Sequence, residues 1–244
     1  VVNDRRTPDF DLVSAPVFSP DGQHVAYWAR QDKKEFIVWD DQKGPAFDGA
    51  GFPVFGPDGG KVAYRAREGN QWFVIRGDKK GPAFDDIGYY TVPDTGRGRE
   101  IADVVFSPDG RQLAYAARRG EQWFTVRDDQ PGPTFEHVGL PAFGPDGRLA
   151  HRARRNDREF ILLAGKKGPE FDFVSNPVFG ADGRQMAYWA RQGKTEFIVH
   201  GERKGPAFDK VGAPLFNRDG SQVIYWAKQG EKEFIMTDGK KGPE

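Results

Sequence analysis

The chain has 244 residues, 36 Lys plus Arg against 36 Asp plus Glu, and no Cys. Zero net charge removes the usual electrostatic ground for a nucleic-acid or anionic-membrane partner, and the lack of Cys excludes disulfides, thiolate metal sites and a Cys nucleophile. No apolar run is long enough for membrane insertion and no signal peptide is visible, while 31 Gly, 18 Pro, 20 Phe, 7 Tyr and 6 Trp point to many short strands joined by tight turns.

In chain order, Val1-Val2 stands where a Met would, which leaves room for removal of an upstream segment. Pro8-Asp9-Phe10-Asp11 follows as a Pro-x-Phe mark. Ala15 to Phe18 reads as a strand, and Ser19-Pro20-Asp21-Gly22 as a turn with Pro and Gly where a β-turn favours them. Val25 to Ala29 forms a second strand and Glu35 to Trp39 a third. A two-residue turn at Gln31-Asp32 joins these two and sets residue 28 opposite 35. After the Gly44-Pro45 loop, Phe47 to Ala50 reads as a short fourth strand.

The unit then recurs. Gly-Pro appears at 44, 81, 132, 168, 205 and 242, so the steps are 37, 51, 36, 37 and 37. Phe47, Phe84, Phe135, Phe171 and Phe208 each precede Asp or Glu, and an Asp-Gly pair begins at 21, 58, 109, 146, 182 and 219. Six units follow, at about 10–46, 47–83, 84–134, 135–170, 171–207 and 208–244. Short strands with frequent turns mean all-β. Six four-stranded units predict one six-bladed β-propeller domain over residues 1–244. The chain stops at Gly242-Pro243-Glu244, where the next Phe-Asp would stand, and that mark is present at Phe10. The N-terminal strand is therefore expected to complete the last blade and close the ring.

Phe18-Ser19-Pro20-Asp21-Gly22 with Val25-Ala26-Tyr27, and Phe106-Ser107-Pro108-Asp109-Gly110 with Leu113-Ala114-Tyr115, resemble the TolB-type, WD-repeat-like propeller repeat. The second and fourth units keep Pro-Asp-Gly, the fifth has Ala181 for Pro, and the sixth reads Asn217-Arg218-Asp219-Gly220. The resemblance covers about residues 10–243. It implies the fold and a bacterial, periplasmic or extracytoplasmic setting. The Gly-Pro-x-Phe-Asp segment departs from that family's repeat, so the family's role does not carry over.

Aligned units show where the scaffold varies. Phe18, Tyr27, Phe36 and their equivalents are constant and read as blade packing. The residue after Tyr is Trp28, Arg65, Ala116, Arg152 (after His151), Trp189 or Trp226, and the residue before Phe is Glu35, Trp72, Trp123, Glu159, Glu196 or Glu233. The two sets are partly reciprocal, either as cross-strand packing or as an aromatic rim for a sugar or peptide. Arg65 over Trp72 would be a cation–π pair. Arg30, Arg67, Arg118, Arg154, Arg191 and Lys228 recur against Asp11, Asp48, Asp85, Glu136, Asp172 and Asp209, and read as ion pairs. Lys79-Lys80, Lys166-Lys167 and Lys240-Lys241 read as loop surface. The first strand begins at Ala15, Phe52, Asp103, Leu140, Asn176 or Ala213. In a propeller these line the channel mouth, which makes Phe52, Asp103, Leu140 and Asn176 ligand candidates.

One step exceeds the period by 14, placing an insertion at 88–102 between one blade's last strand and the next blade's first. Tyr89, Tyr90, Arg97 and Arg99 on it are residue types enriched at binding hot spots. The four His, at 24, 137, 151 and 200, lack metal-site spacing, and no Gly-x-Ser-x-Gly is present. The reading is a non-catalytic interaction scaffold without cofactor or metal, docking a protein or peptide through the face that bears this loop, in an envelope assembly or alone. The alternative is a small-ligand binder or metal-dependent lactonase-like hydrolase, with its site at the channel mouth.

Overall fold

The computed structural model describes residues 9–88 and 104–242. They form six antiparallel sheets and, among the described residues, no helix. The chain falls into two compact units, Val1–Glu121 with Val126–Pro131, and Gln122–Thr125 with Gly132–Glu244.

The first sheet shows the plan. Val25–Gln31 pairs with Lys34–Trp39, in the register Gln31↔Lys34, Arg30↔Glu35, Ala29↔Phe36 and Trp28↔Ile37. The turn is Asp32-Lys33, both at positive φ (52° and 64°), as a type I′ hairpin requires. It lies one residue later than the sequence suggests, so Trp28 faces Ile37 and meets Glu35 only diagonally. In the other hairpins Gly69, Gly120, Asn156, Gly193 and Gly230 take the positive-φ position, as their residue types allow.

Two expectations about the edges are corrected. The outer edge is Gln42–Lys43, paired with Val38 and Trp39. Its equivalents Lys79–Lys80, Lys166–Lys167 and Lys240–Lys241 are two-residue strands where loops were expected. The second residue of such an edge lies on a core phenylalanine: Lys43 is 3.8 Å from the Phe36 centroid, Lys80 3.8 Å from Phe73, and Lys204, of the edge Arg203–Lys204, 3.9 Å from Phe197. Phe47 to Ala50 is not one strand. Phe47 exchanges both backbone hydrogen bonds with Glu35, while Gly49–Ala50 pairs with Arg67 and Ala66 of the second sheet. The same bridge recurs at Phe84, Phe135, Phe171 and Phe208. The Gly-Pro-x-Phe-Asp segment is thus the crossing from one sheet to the next.

The leading edge is broken in two. Leu12–Val13 pairs with Arg30 and Ala29, and Val17–Phe18 pairs with Ala26 and Val25, so two short strands share one side of the same long strand. Each sheet therefore has five strands rather than the expected four. The cause is Pro16, Pro53, Pro141, Pro177 or Pro214, which has no N–H to give the ladder. The third unit has Val104 at this position, and there the strand is one residue longer, Val104–Phe106.

Packing is face to face within each unit. Ala26 and Ile37 of the first sheet, with Phe47 at the crossing, pack on Val62, Tyr64 and Phe73 of the second. In the other unit, Ala187 and Ile198 of the fifth sheet, with Phe208 at the crossing, pack on Val223 and Tyr225 of the sixth. Among the described residues, large apolar side chains of the first and sixth sheets are exposed where their equivalents are buried. Ile235 is 51% exposed where its equivalent Ile198 is 3%, and Phe18 is 61% exposed where Phe55 is 8%. The N-terminal stretch Leu12–Val13 belongs to the first sheet, and among the described residues no strand of it pairs with the sixth.

Candidate functional site

The break in the leading edge is where the repeats differ most. The backbone N–H of Ser14, Gly51, Gly88, Gly139, Ser175 and Gly212 donates to the carbonyl of Trp28, Arg65, Ala116, Arg152, Trp189 and Trp226, at 2.8–3.0 Å. The chain then leaves the strand and rejoins it after the Pro position. Ala15, Phe52, Leu140, Asn176 and Ala213 stand in this gap, and Asp103 is its third-unit member by alignment.

The insertion opens from the same place. Ile87 pairs with Ala117 and Val104 with Tyr115, so both flanks lie on one strand, Leu113–Arg119. This corrects the expectation that the loop joins two blades. It is an excursion within one sheet, rooted at points two residues apart, about 7 Å along a strand. Tyr89, Tyr90, Arg97, Arg99 and Asp103 fall outside the described residues. Phe52 is half-buried and lines an apolar cavity of about 330 Å³ with Ala15, Val17, Phe18 and Pro53. Leu140 is half-buried and Asn176 exposed. Close to Gly139 lie the side chains of Asn176 and Arg152. The Arg152 guanidinium sits 3.9 Å from Glu159 and 5.4 Å from the Phe173 ring.

The recurring acids have a common role that the sequence reading missed. Asp11, Asp48, Asp85, Glu136, Asp172 and Asp209 accept the N–H of Asp32, Gly69, Gly120, Asn156, Gly193 and Gly230, at 2.6–3.0 Å. They cap the hairpins. Their expected basic partners follow no single pattern: Arg154 lies 3.7 Å from Glu136, whereas Arg67 donates to the carbonyls of Asp48 and Gly69. Asp48 is held below the usual carboxylate range by its hydrogen bond from Lys34 and then by the Gly69 N–H. Asp21 and Asp109 are lowered chiefly by the hydroxyls of Ser19 and Ser107 inside the Asp-Gly turns.

The reciprocal Trp, Glu and Arg set ties the first sheet to the second, the second to the third, the fourth to the fifth and the fifth to the sixth. Glu35 accepts the Ala50 N–H (2.6 Å), Glu159 that of Val174 (3.0 Å) and Glu196 that of Val211 (3.0 Å). Trp28 Nε1 also donates to Glu35 (3.1 Å). Where Trp72 replaces Glu, Arg65 stacks 4.6 Å from its ring and donates to the Ile87 carbonyl. These half-buried side chains pack between sheets, which leaves the gap positions and the insertion as the variable elements.

No family model matches this chain. No curated protein matches it either. Solved structures do. The β-propeller domain of the Trilobed protease from Pyrococcus furiosus, described as having an open velcro topology, aligns at TM-score 0.54 and 17% identity over 96% of this chain and 83% of that one. TolB from Acinetobacter baumannii aligns at 0.45 and 15% identity, over 94% of this chain. A prolyl endopeptidase structure aligns at 0.49 and 10%, over 95% of this chain and 41% of its own. The chain spans 62% of the length of the TolB structure. The similarity establishes an all-β propeller fold, with TolB among the structures that resemble it.

Proposed function

We propose that the chain is a six-bladed propeller scaffold that binds a protein or peptide partner through the insertion at 88–102 and performs no catalysis itself. One observation carries the reading: 16 residues separate the paired Ile87 and Val104, where three separate the corresponding strands of the other five sheets, and both flanks are held by ladder pairs on one buried strand. A loop so anchored can present Tyr89, Tyr90, Arg97 and Arg99 at no cost to the sheet beneath. The recurrent carboxylates support a scaffold over a hydrolase, because backbone N–H groups engage all six hairpin acids. Ring closure belongs to the same reading. The uncovered face at Ile235 is of the kind that the other sheets place against a neighbour's Phe and Tyr, and Phe10 carries the mark that would bridge Glu233.

The test is tagged purification from the source cell of the natural chain, a variant lacking residues 89–102, and Tyr89→Ala with Tyr90→Ala. A partner captured by the natural chain and lost from both variants, with thermal unfolding within a few degrees, is the expected result. A partner retained by both variants rejects the insertion as the docking element.

A further inference from the structure

The residue after the strand Tyr is Trp in the first, fifth and sixth repeats, and the three indoles are not held alike. Trp28 Nε1 donates to Glu35 at 3.1 Å, and Trp226 Nε1 donates to Glu233 at 3.2 Å. Trp189 has the equivalent carboxylate, Glu196, on the adjoining strand but makes no such bond. Its ring instead lies stacked on Phe173, with centroids 4.6 Å apart and planes at 26°. Its N–H meets no protein acceptor among the described residues, and unlike Trp39 Nε1 it is not sealed from solvent. The difference lies in the leading edge, where Phe173 stands in place of the Leu12 and Lys210 of the other two Trp repeats.

A cation completes the patch. Arg191 is the cross-strand partner of Phe173, and its guanidinium lies 5.8 Å from that ring's centroid. Arg191 is exposed and, among the described residues, forms no ion pair. The carboxylates of the neighbourhood are engaged elsewhere. Glu159 accepts the Val174 N–H and lies 3.9 Å from Arg152. Asp172 accepts the Gly193 N–H and pairs with Arg158, and Glu196 accepts the Val211 N–H. One guanidinium and one indole N–H are thus left open beside two half-buried rings, all on the fifth sheet.

We propose that Phe173, Trp189 and Arg191 form a docking surface for an acidic peptide segment of a partner protein, one in which a carboxylate side chain adjoins an aromatic one. A carboxylate is the acceptor that the sister indoles already use, in Glu35 and Glu233. Arg191 adds the opposite charge, which strengthens a hydrogen bond to a carboxylate. The stacked rings offer the neighbouring aromatic side chain a ring contact. Trp and Arg are also residue types in which interface binding energy concentrates. The surface lies in the other compact unit from the insertion and does not depend on it.

The experiment titrates the full chain with the blocked peptide acetyl-Glu-Glu-Phe-Glu-amide and follows the Trp189 indole N–H by NMR. Loss of that resonance in Trp189→Phe identifies it. The analogue with Gln for every Glu, sodium acetate and decathymidylate are the comparison probes. The acidic peptide should give saturable shifts, and the Gln analogue should bind about fivefold more weakly or less. Arg191→Gln should weaken the acidic peptide about fivefold, as loss of one exposed charge pair predicts; its side chain is exposed, so the variant should fold. Phe173→Leu, which installs the first sheet's residue, should weaken it about threefold and move the Trp189 resonance towards those of Trp28 and Trp226. Absence of saturable shifts with the acidic peptide, equal binding of the Gln analogue or acetate, tighter binding of decathymidylate, or undiminished binding in Arg191→Gln would each overturn the proposal.

Discussion

His151 occupies the position held by Tyr27, Tyr64, Tyr115, Tyr188 and Tyr225 in the other repeats. It is 8% exposed and packs edge-on against Phe135, with centroids 6.1 Å apart. Burial pushes its pKa down to about 4, against only a small opposing effect from the Arg152 carbonyl. An unfolded histidine titrates near 6.5. Between those values the unfolded chain binds the extra proton, so stability is complete above about pH 6.5 and is lost as pH falls towards 4. The loss is about 3 kcal/mol at full effect. His151→Tyr should remove this acid-side loss, measured as urea midpoints from pH 7.5 to 4.5; an unchanged pH slope would show that His151 is not its source. The sequence marks His151 as the odd residue at a packing position, but its burial comes from the rings around it.

At the scale of the hairpin, the capping acid and the capped N–H are about 20 residues apart in sequence, as with Asp209 and Gly230. Aligned repeats show that an acid recurs, and charge alone suggests the recurring base as its partner. The structure gives it the backbone because the leading edge runs antiparallel beside the long strand and ends level with the hairpin. Removal of the carboxylate should therefore matter more than removal of the base. Asp209→Ala is expected to cost about 1 kcal/mol. Lys228→Ala should cost under about 0.5 kcal/mol, since its contact with Glu233 is a 3.8 Å surface pair. Equilibrium denaturation decides between them, and equal losses would restore the ion-pair reading. The turn itself was misplaced by one residue because Gln31-Asp32 and Asp32-Lys33 look alike in sequence; only the ladder from Gln31↔Lys34 to Trp28↔Ile37 fixes it.

For the whole molecule, the proposed ring makes a specific demand on the N-terminus. In every described crossing, the Phe amide donates to the strand it leaves, as Phe47 N–H does to the Glu35 carbonyl at 3.0 Å. If Glu233 holds Phe10 in the same way, the Phe10 amide will exchange with solvent as slowly as those of Phe47 and Phe208. Rapid exchange at Phe10 alone, seen by NMR, would leave the ring open at this point. The exposed Phe18 and Ile235 give the physical motive, since covering them removes large apolar side chains from water.

Sequence alone determined the repeat, the all-β class, the turns with left-handed residues and the position of the insertion. Each of these rests on local chemistry: a Pro without an N–H, a Gly or Asn at positive φ, or apolar residues at the spacing of strands. Tertiary structure decided which sheet each short segment joins. Phe47 and Gly49 sit two residues apart yet belong to different sheets, because a single bridged residue suffices to turn the chain from one ladder to the next. It also decided which polar groups are satisfied. Tyr27, Tyr115 and Tyr225 are the same residue in the same repeat position, yet Tyr115 Oη lies 3.5 Å from Asp129 while the hydroxyls of Tyr27 and Tyr225 have no protein partner among the described residues.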